Sequence, residues 1–286
     1  MGIKGIILDI DGVIVGEKFG FNFPLPHPDV ISALKKIKSN RIFISLCTAK
    51  PYFAVIDIIE KAKLGNLHIT DGGGVIINPI ESVVLKSNII KPHAAVKVLE
   101  TYLKNKIYAE FYSVDDYFIQ KNQISDIADK HAAILKRKSK IVKSLIESSR
   151  QNKITKIIIV GKDENDKIGL IKLFRPFENN LVLSWGVHPS VLPLQFGIIT
   201  AKGISKKTAA EEIVKNAGVS FDEILGVGDS ESDWQFIQLC RYAGATGNAS
   251  KELKKLVVSK GKNFSFIGPN VDENGIIDIF KKFKLI

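Results

Sequence analysis

The sequence predicts an α/β fold: a doubly wound parallel sheet into which a separate α+β module is inserted. Three observations predict it. Short apolar runs alternate with helical patterns at both ends of the chain, as strand–helix–strand units require. The middle abandons that alternation and sets hairpin-like runs beside long helical stretches. Acidic residues crowd the ends of two apolar runs, and the carboxyl ends of strands are where open α/β sheets bind ligands.

The elements follow in order. Ile3 to Ile10 is an apolar run ending in acids and reads as a buried strand. Pro28 to Ser39 places Val30, Ile31, Leu34 and Ile37 at helical spacing. Ile42 to Leu46 reads as a second strand, and Pro51 to Lys63 as a helix with proline at its start. His68 to Thr70 is a short strand, Asp71 to Gly74 a turn, and Val75 to Ile77 a further strand. Pro92 to Lys104 is helical, with strands at Ile107 to Tyr112 and Tyr117 to Gln120. Ile124 to Arg150 reads as a long amphipathic helical stretch, broken once. A strand at Ile154 to Val160 and a helix at Asp163 to Phe174 follow, then strands at Leu181 to Trp185 and Val191 to Gln195. Alternation returns with a helix at Lys206 to Ala217, a strand at Glu223 to Val227, a helix at Asp233 to Cys240 and a strand at Tyr242 to Ala245. This divides the chain into a core of 1–80 and 190–286 and an inserted module of 81–189.

With 286 residues, 45% of them hydrophobic and 25% charged, the chain suits one large globular domain or two ordinary ones. That excludes a largely disordered chain, and two cysteines exclude a disulfide-stapled miniprotein. The formal charge of +11 attracts phosphate in any form: nucleic acid, anionic lipid or a small metabolite. Only five of the 41 basic residues are arginine, which disfavours a reader of base edges, since those lean on bidentate arginine. No apolar run approaches the ~18 residues a membrane span needs, and acids follow the first apolar run at once. The expectation is a cytoplasmic protein with neither a membrane nor a nucleic-acid partner.

Four motifs carry chemistry. Asp9-Ile10-Asp11-Gly12-Val13 closes the first strand. One carboxylate there can attack phosphorus and the other can move a proton, while Gly12 lets the backbone turn. Gly228-Asp229-Ser230-Glu231-Ser232-Asp233 follows a second buried run. Carboxylates from two such strand ends suit Mg²⁺, which takes hard oxygen ligands, although serine and aspartate also cap helices. Thr48-Ala49-Lys50-Pro51 ends the next strand, where a hydroxyl and free N–H groups at a helix start would cradle phosphate. Its plainer reading is a helix cap. Lys202-Gly203-Ile204-Ser205-Lys206-Lys207-Thr208 precedes a helix, and a lysine there can offset a phosphoryl group as a point charge, although most lysines are solvated surface residues. Cys47 reads as a small buried residue, with no histidine near it in sequence.

In this order the four motifs resemble those of the haloacid dehalogenase-like hydrolase superfamily, across nearly the whole chain. The resemblance implies a Rossmann-like core with an inserted cap. Asp9 would be the nucleophile that becomes an aspartyl-phosphate, and Asp11 the general acid and base. Thr48 and Lys206 would hold the phosphoryl oxygens, with Ala49 and Lys50 beside them. Mg²⁺ would lie among Asp9, the Asp11 carbonyl, Asp229 and Asp233, with Asp233 either supporting the metal or positioning the lysine. The implied activity is a Mg²⁺-dependent phosphatase for a small phosphorylated metabolite, phosphoglycolate or a sugar phosphate. The insertion resembles the cap of sugar-phosphate phosphatases, phosphomannomutases and archaeal phosphoglycolate phosphatases, so a phosphomutase is the alternative. A nucleic-acid-binding protein that kept the fold is a distant third. Gly247-Asn248-Ala249 resembles the phosphoglycolate phosphatase branch.

Three positions depart from the superfamily pattern. Thr48-Ala49-Lys50 stands where relatives often have Thr-Gly-Arg, Ser232 stands where asparagine is usual, and Asp71-Gly72 replaces Asn-Gly. Substrate choice is expected from the cap and its return linker, with Trp185, His188 and Gln195 as candidates. Lys130, Lys136, Arg137, Lys138, Lys140 and Lys143 read as one strongly basic cap helix, chiefly a solvated face.

Overall fold

A computed structural model describes residues 2–81, 83–186 and 191–286. The chain forms two compact units: residues 1–49, 55–85 and 205–286, and residues 50–54 and 86–204.

In chain order the first stretch supplies β1 (Gly5–Leu8), α1 (Pro28–Ser39), β2 (Phe43–Leu46), α2 (Ile56–Ala62), β3 (His68–Thr70), β4 (Val75–Asn78) and β5 (Val83–Ser87). The middle supplies α3 (Pro92–Lys104), β6 (Tyr108–Tyr112), β7 (Tyr117–Gln120), α4 (Asp126–Leu135), β8 (Lys140–Val142), α5 (Leu145–Gln151), β9 (Lys156–Gly161), α6 (Glu164–Phe174), β10 (Leu181–Gly186) and β11 (Gln195–Ala201). The last stretch supplies α7 (Lys206–Ala217), β12 (Ile224–Gly228), α8 (Trp234–Ile237), β13 (Tyr242–Ala245), α9 (Lys251–Val258), β14 (Ser265–Ile267) and α10 (Ile276–Lys282).

Among the described residues of the first unit, five parallel strands lie in the order β14-β13-β12-β1-β2. β3 continues the parallel run beside the end of β2 through the Cys47–Ile69 pair. Side chains alternate across a strand. Ile7 therefore joins Ala210, Ile213, Phe236 and Leu253 in one core layer, covered by α7, α8 and α9. Ile6 and Leu8 are equally buried on the other face, where α1 packs beside α2 and α10. This is the doubly wound α/β sheet the sequence predicts.

His68 ties β2 to the segment before β3. Its Nδ1 accepts from the Leu46 amide at 3.1 Å, and Nε2 faces the Leu64 carbonyl at 3.1 Å. The ring is fully buried, and burial lowers its pKa from 6.5 to about 4.

In the second unit, strands lie in the order β10-β11-β9-β6-β7-β8, antiparallel except for β7 with β8. Phe111, Ile157, Ile159 and Ile199 face Val98, Leu99, Leu145 and Leu170 of α3, α5 and α6. Tyr112, Ile158, Val160 and Phe196 form the opposite layer with Ala128 and Leu135 of α4. Within that layer the buried Glu110 accepts from Tyr108 Oη at 2.8 Å and Tyr112 Oη at 2.5 Å, and His131 Nδ1 lies 2.7 Å away.

Several sequence expectations change here. The stretch 124–150 is two helices around a strand, because Lys136 turns left-handed at φ 52° and Lys140–Val142 pairs with β7. The six basic residues are consequently not one helix face. Lys130 lies on α4, while Arg137 and Lys140 both pair with Asp116, at 2.6 and 2.5 Å. The strand expected at Val191 to Gln195 begins at Gln195 instead and runs to Ala201. Pro193 interrupts the earlier run with a residue that cannot donate to a ladder.

Candidate active site

The site is built from strand ends. β1 lies between β2 and β12, so the chain leaves β1 in one direction and returns on its other side, which opens a crevice at the strand ends. The Asp9 amide donates to the Val227 carbonyl at 3.0 Å, which aligns the ends of β1 and β12. Asp9 and Asp229 each stand immediately after their strand. Gly12 has φ +73°, and a Cβ there would meet Asp229 Oδ2 at 2.0 Å. Glycine therefore leaves the Asp229 carboxylate its place against this turn.

Lys206 joins the cluster from α7. Ser205 caps that helix, its Oγ accepting from the Thr208 amide at 3.1 Å. Lys206 Nζ donates to Asp9 Oδ1 at 3.0 Å and to Asp233 Oδ1 at 2.6 Å. Asp233 Oδ2 accepts from the amides of Asp229 and Ser230, both at 3.0 Å, and from Ser230 Oγ at 3.1 Å. Protein donors thus engage both oxygens of Asp233. Its geometry orients Lys206 and folds the Asp229 loop, which favours the lysine-positioning role over metal ligation.

An ammonium at a helix N-terminus runs against the helix dipole. Burial also disfavours its charge, yet the Asp233 and Asp9 carboxylates outweigh both and hold the Lys206 pKa well above its usual range. Burial pushes the Asp9 carboxyl well up, opposed by Lys206 and reinforced by Asp233, Asp229 and Asp11. Burial and Asp233 likewise raise Asp229 to about 7. Oxygens of Asp9, Asp229 and Asp233 lie within 4.8 Å of one another. Crowding of three acids around one ammonium is what holds Asp9 and Asp229 toward their neutral forms, and their hard oxygens fit a divalent cation such as Mg²⁺, whose charge would favour the ionised forms.

The remaining candidates fall in different places. Asp11 pairs in a bridge with Val15 and is close enough to raise the pKa of both Asp9 and Asp229. Thr48 is buried at the end of β2, its amide donating to Ile69 at 3.0 Å and its carbonyl accepting from Gly72 at 2.9 Å. The helix start expected right after it is not there: a 3-10 turn at Tyr52–Ala54 comes first, and α2 begins at Ile56. Phe53 draws this segment away by stacking on Tyr117 at 6.2 Å and under the Arg137 guanidinium at 4.7 Å. Ala49 is exposed and Lys50 half-buried. Cys47 is buried, and burial pushes its thiol far up, which leaves it unreactive.

Trp185 packs on the helix-covered face of the second unit, with Lys167 Nζ 5.4 Å from its ring. Gln195 is buried, its Nε2 donating to the Pro193 carbonyl at 3.2 Å. His188 lies outside the described residues.

Sequence reasoning missed Thr246, and it noted Asn248 only within Gly247-Asn248-Ala249 as the mark of a family branch, with no role in the site. Thr246 Oγ1 and Asn248 Nδ2 both donate to the Gly12 carbonyl, at 2.8 and 2.9 Å. The one signal for Thr246 was its place just past another strand, β13.

A parallel sheet with carboxylates on adjacent strand ends and a buried lysine among them defines a carboxylate-centred hydrolase site. Residues 6–280 match the model of the haloacid dehalogenase-like hydrolases, and the chain belongs to that family. It is 23% identical over 273 residues to a phosphoglycolate phosphatase of Staphylothermus marinus, spanning 93% of this chain and 95% of that one. Among solved structures it resembles a haloacid dehalogenase-like hydrolase from Bacteroides thetaiotaomicron, with TM-score 0.83, 19% identity and coverage of 98% and 99%. It also resembles the subclass IIB sugar phosphatase BT4131, with TM-score 0.78, 19% identity and coverage of 99% and 100%.

Proposed function

We propose that this protein is a Mg²⁺-dependent phosphatase that hydrolyses a small phosphorylated metabolite, phosphoglycolate or a sugar phosphate. One observation carries the reading: Lys206 bridges Asp9 and Asp233 where the ends of β1 and β12 meet. A buried nucleophile beside a fixed cation is what in-line displacement at phosphorus requires.

The chemistry divides among the chain's own residues. A carboxylate oxygen of Asp9 attacks phosphorus as the ester P–O bond breaks. Asp11 gives its proton to the departing oxygen, which leaves as the alcohol. Asp11, now ionised, takes a proton from water, and that oxygen attacks phosphorus as the bond to Asp9 breaks. Inorganic phosphate departs and both acids return to their starting forms. Lys206 and Thr48 hold the phosphoryl oxygens, and Asp233 holds Lys206.

Asp9, Asp229 and the Asp11 main-chain carbonyl would hold Mg²⁺. When bound, the ion supplies positive charge against the phosphoryl oxygens and draws the raised Asp9 and Asp229 toward their ionised forms. The names of related proteins support hydrolysis rather than the phosphomutase alternative. We assign substrate choice to the inserted module. The test is phosphate release from a panel of esters with and without Mg²⁺. The reading predicts turnover that needs Mg²⁺ and vanishes in Asp9→Asn. Absence of turnover on every ester counts against it.

A further inference from the structure

We propose that Thr246 and Asn248 are positioning residues for Asp11, acting through the Gly12 carbonyl. The inference rests on the phosphatase reading above and assigns a device within that site.

Gly12 follows Asp11 directly and has φ +73°. A glycine backbone is free to leave that conformation, so something must hold it there. Its amide donates to the Val15 carbonyl at 2.8 Å. Its carbonyl accepts from Thr246 Oγ1 at 2.8 Å and Asn248 Nδ2 at 2.9 Å. With the peptide groups on both sides of Gly12 pinned, the Asp11 backbone has little freedom to rotate, and its side chain keeps one point of attachment.

Asn248 is itself braced. Its Oδ1 accepts from the Val271 amide at 2.9 Å. The Val271 carbonyl accepts from Asn22 Nδ2 at 3.0 Å, and Asn22 Nδ2 also reaches Asp272 Oδ1 at 2.9 Å. Thr246 is fully buried at the end of β13. The clamp thus ties the turn after the first motif to the sheet and to the segment before α10. Neither residue carries a charge or a proton suited to the chemistry, so each acts by placing Asp11.

Proton donation matters most where the leaving oxygen is basic. An alkyl phosphate needs Asp11 to protonate its leaving group, whereas 4-nitrophenyl phosphate releases a stable phenolate. The ratio kcat/KM reports events only through loss of the leaving group, so the second-step role of Asp11 does not enter. The experiment compares parent, Asn248→Ala and Thr246→Val on both esters with Mg²⁺, with folding checked by circular dichroism and thermal unfolding. The clamp predicts a loss of ~30-fold in kcat/KM on the alkyl ester and under ~3-fold on the nitrophenyl ester. If Asn248→Ala fails to fold, the nearly isosteric Thr246→Val carries the comparison. Equal losses on both esters, or no loss, overturn the clamp. A parent that releases phosphate from neither ester overturns the phosphatase reading instead, and the clamp with it.

Discussion

Lys206 shows how single residues set the site's electrostatics. Its side chain is 8% exposed, yet it stays charged because Asp9 and Asp233 both reach it. Lys206→Ala leaves buried carboxylates unopposed, an arrangement that costs ~3 kcal/mol when one partner of a buried pair is removed. On the proposed mechanism it also removes the fixed cation that would face the phosphoryl group, worth ~10²-fold or more in kcat. Urea unfolding and phosphate release measure the two effects separately. Gly12 is the second case. Its absent Cβ is where Asp229 Oδ2 would collide at 2.0 Å, so Gly12→Ala should turn the Asp229 carboxylate out of the cluster and abolish turnover while the sheet stays folded by circular dichroism.

At the scale of elements, the strand ends were legible in the sequence and several connections were not. Asp9, Thr48 and Asp229 each end a buried apolar run, and period and burial together mark such runs. The motif residues therefore fell where the structure has them. Tertiary packing decided the rest. Phe53 found partners in Tyr117 and Arg137, so the helix after Thr48 starts late. Lys140–Val142 found β7, so one helical pattern became helix, strand and helix. The clamp at Gly12 was invisible because Thr246 and Asn248 act through a carbonyl 234 and 236 residues away. His68 gives this scale its prediction. The unfolded chain binds a proton at His68 near pH 6.5, while the fold resists until about pH 4. Stability from this residue is therefore complete above pH 6.5 and is lost as pH falls toward 4, by ~3 kcal/mol in all. Denaturant unfolding of parent and His68→Gln across that range should show an acid-sensitive difference that flattens in the variant.

The whole molecule carries a formal charge of +11, yet its candidate site is a cluster of acids. A cation that binds only the folded cluster stabilises the fold by mass action, ~2.7 kcal/mol at a hundred times its dissociation constant. Thermal unfolding in Mg²⁺ should occur above that in chelator, and the difference should disappear in Asp9→Asn/Asp229→Asn. On the proposed function, positive charge near the cluster would steer an anionic ester toward it, so kcat/KM should fall with added salt.

The most direct test of the central claim is phosphate release by parent and Asp9→Asn over one panel of alkyl and sugar phosphates in saturating Mg²⁺. Hydrolysis by the parent, lost with chelator and lost in Asp9→Asn, is the predicted result. Parent activity matched by Asp9→Asn would contradict the account, because the carboxylate at the end of β1 could not then be the group that attacks phosphorus.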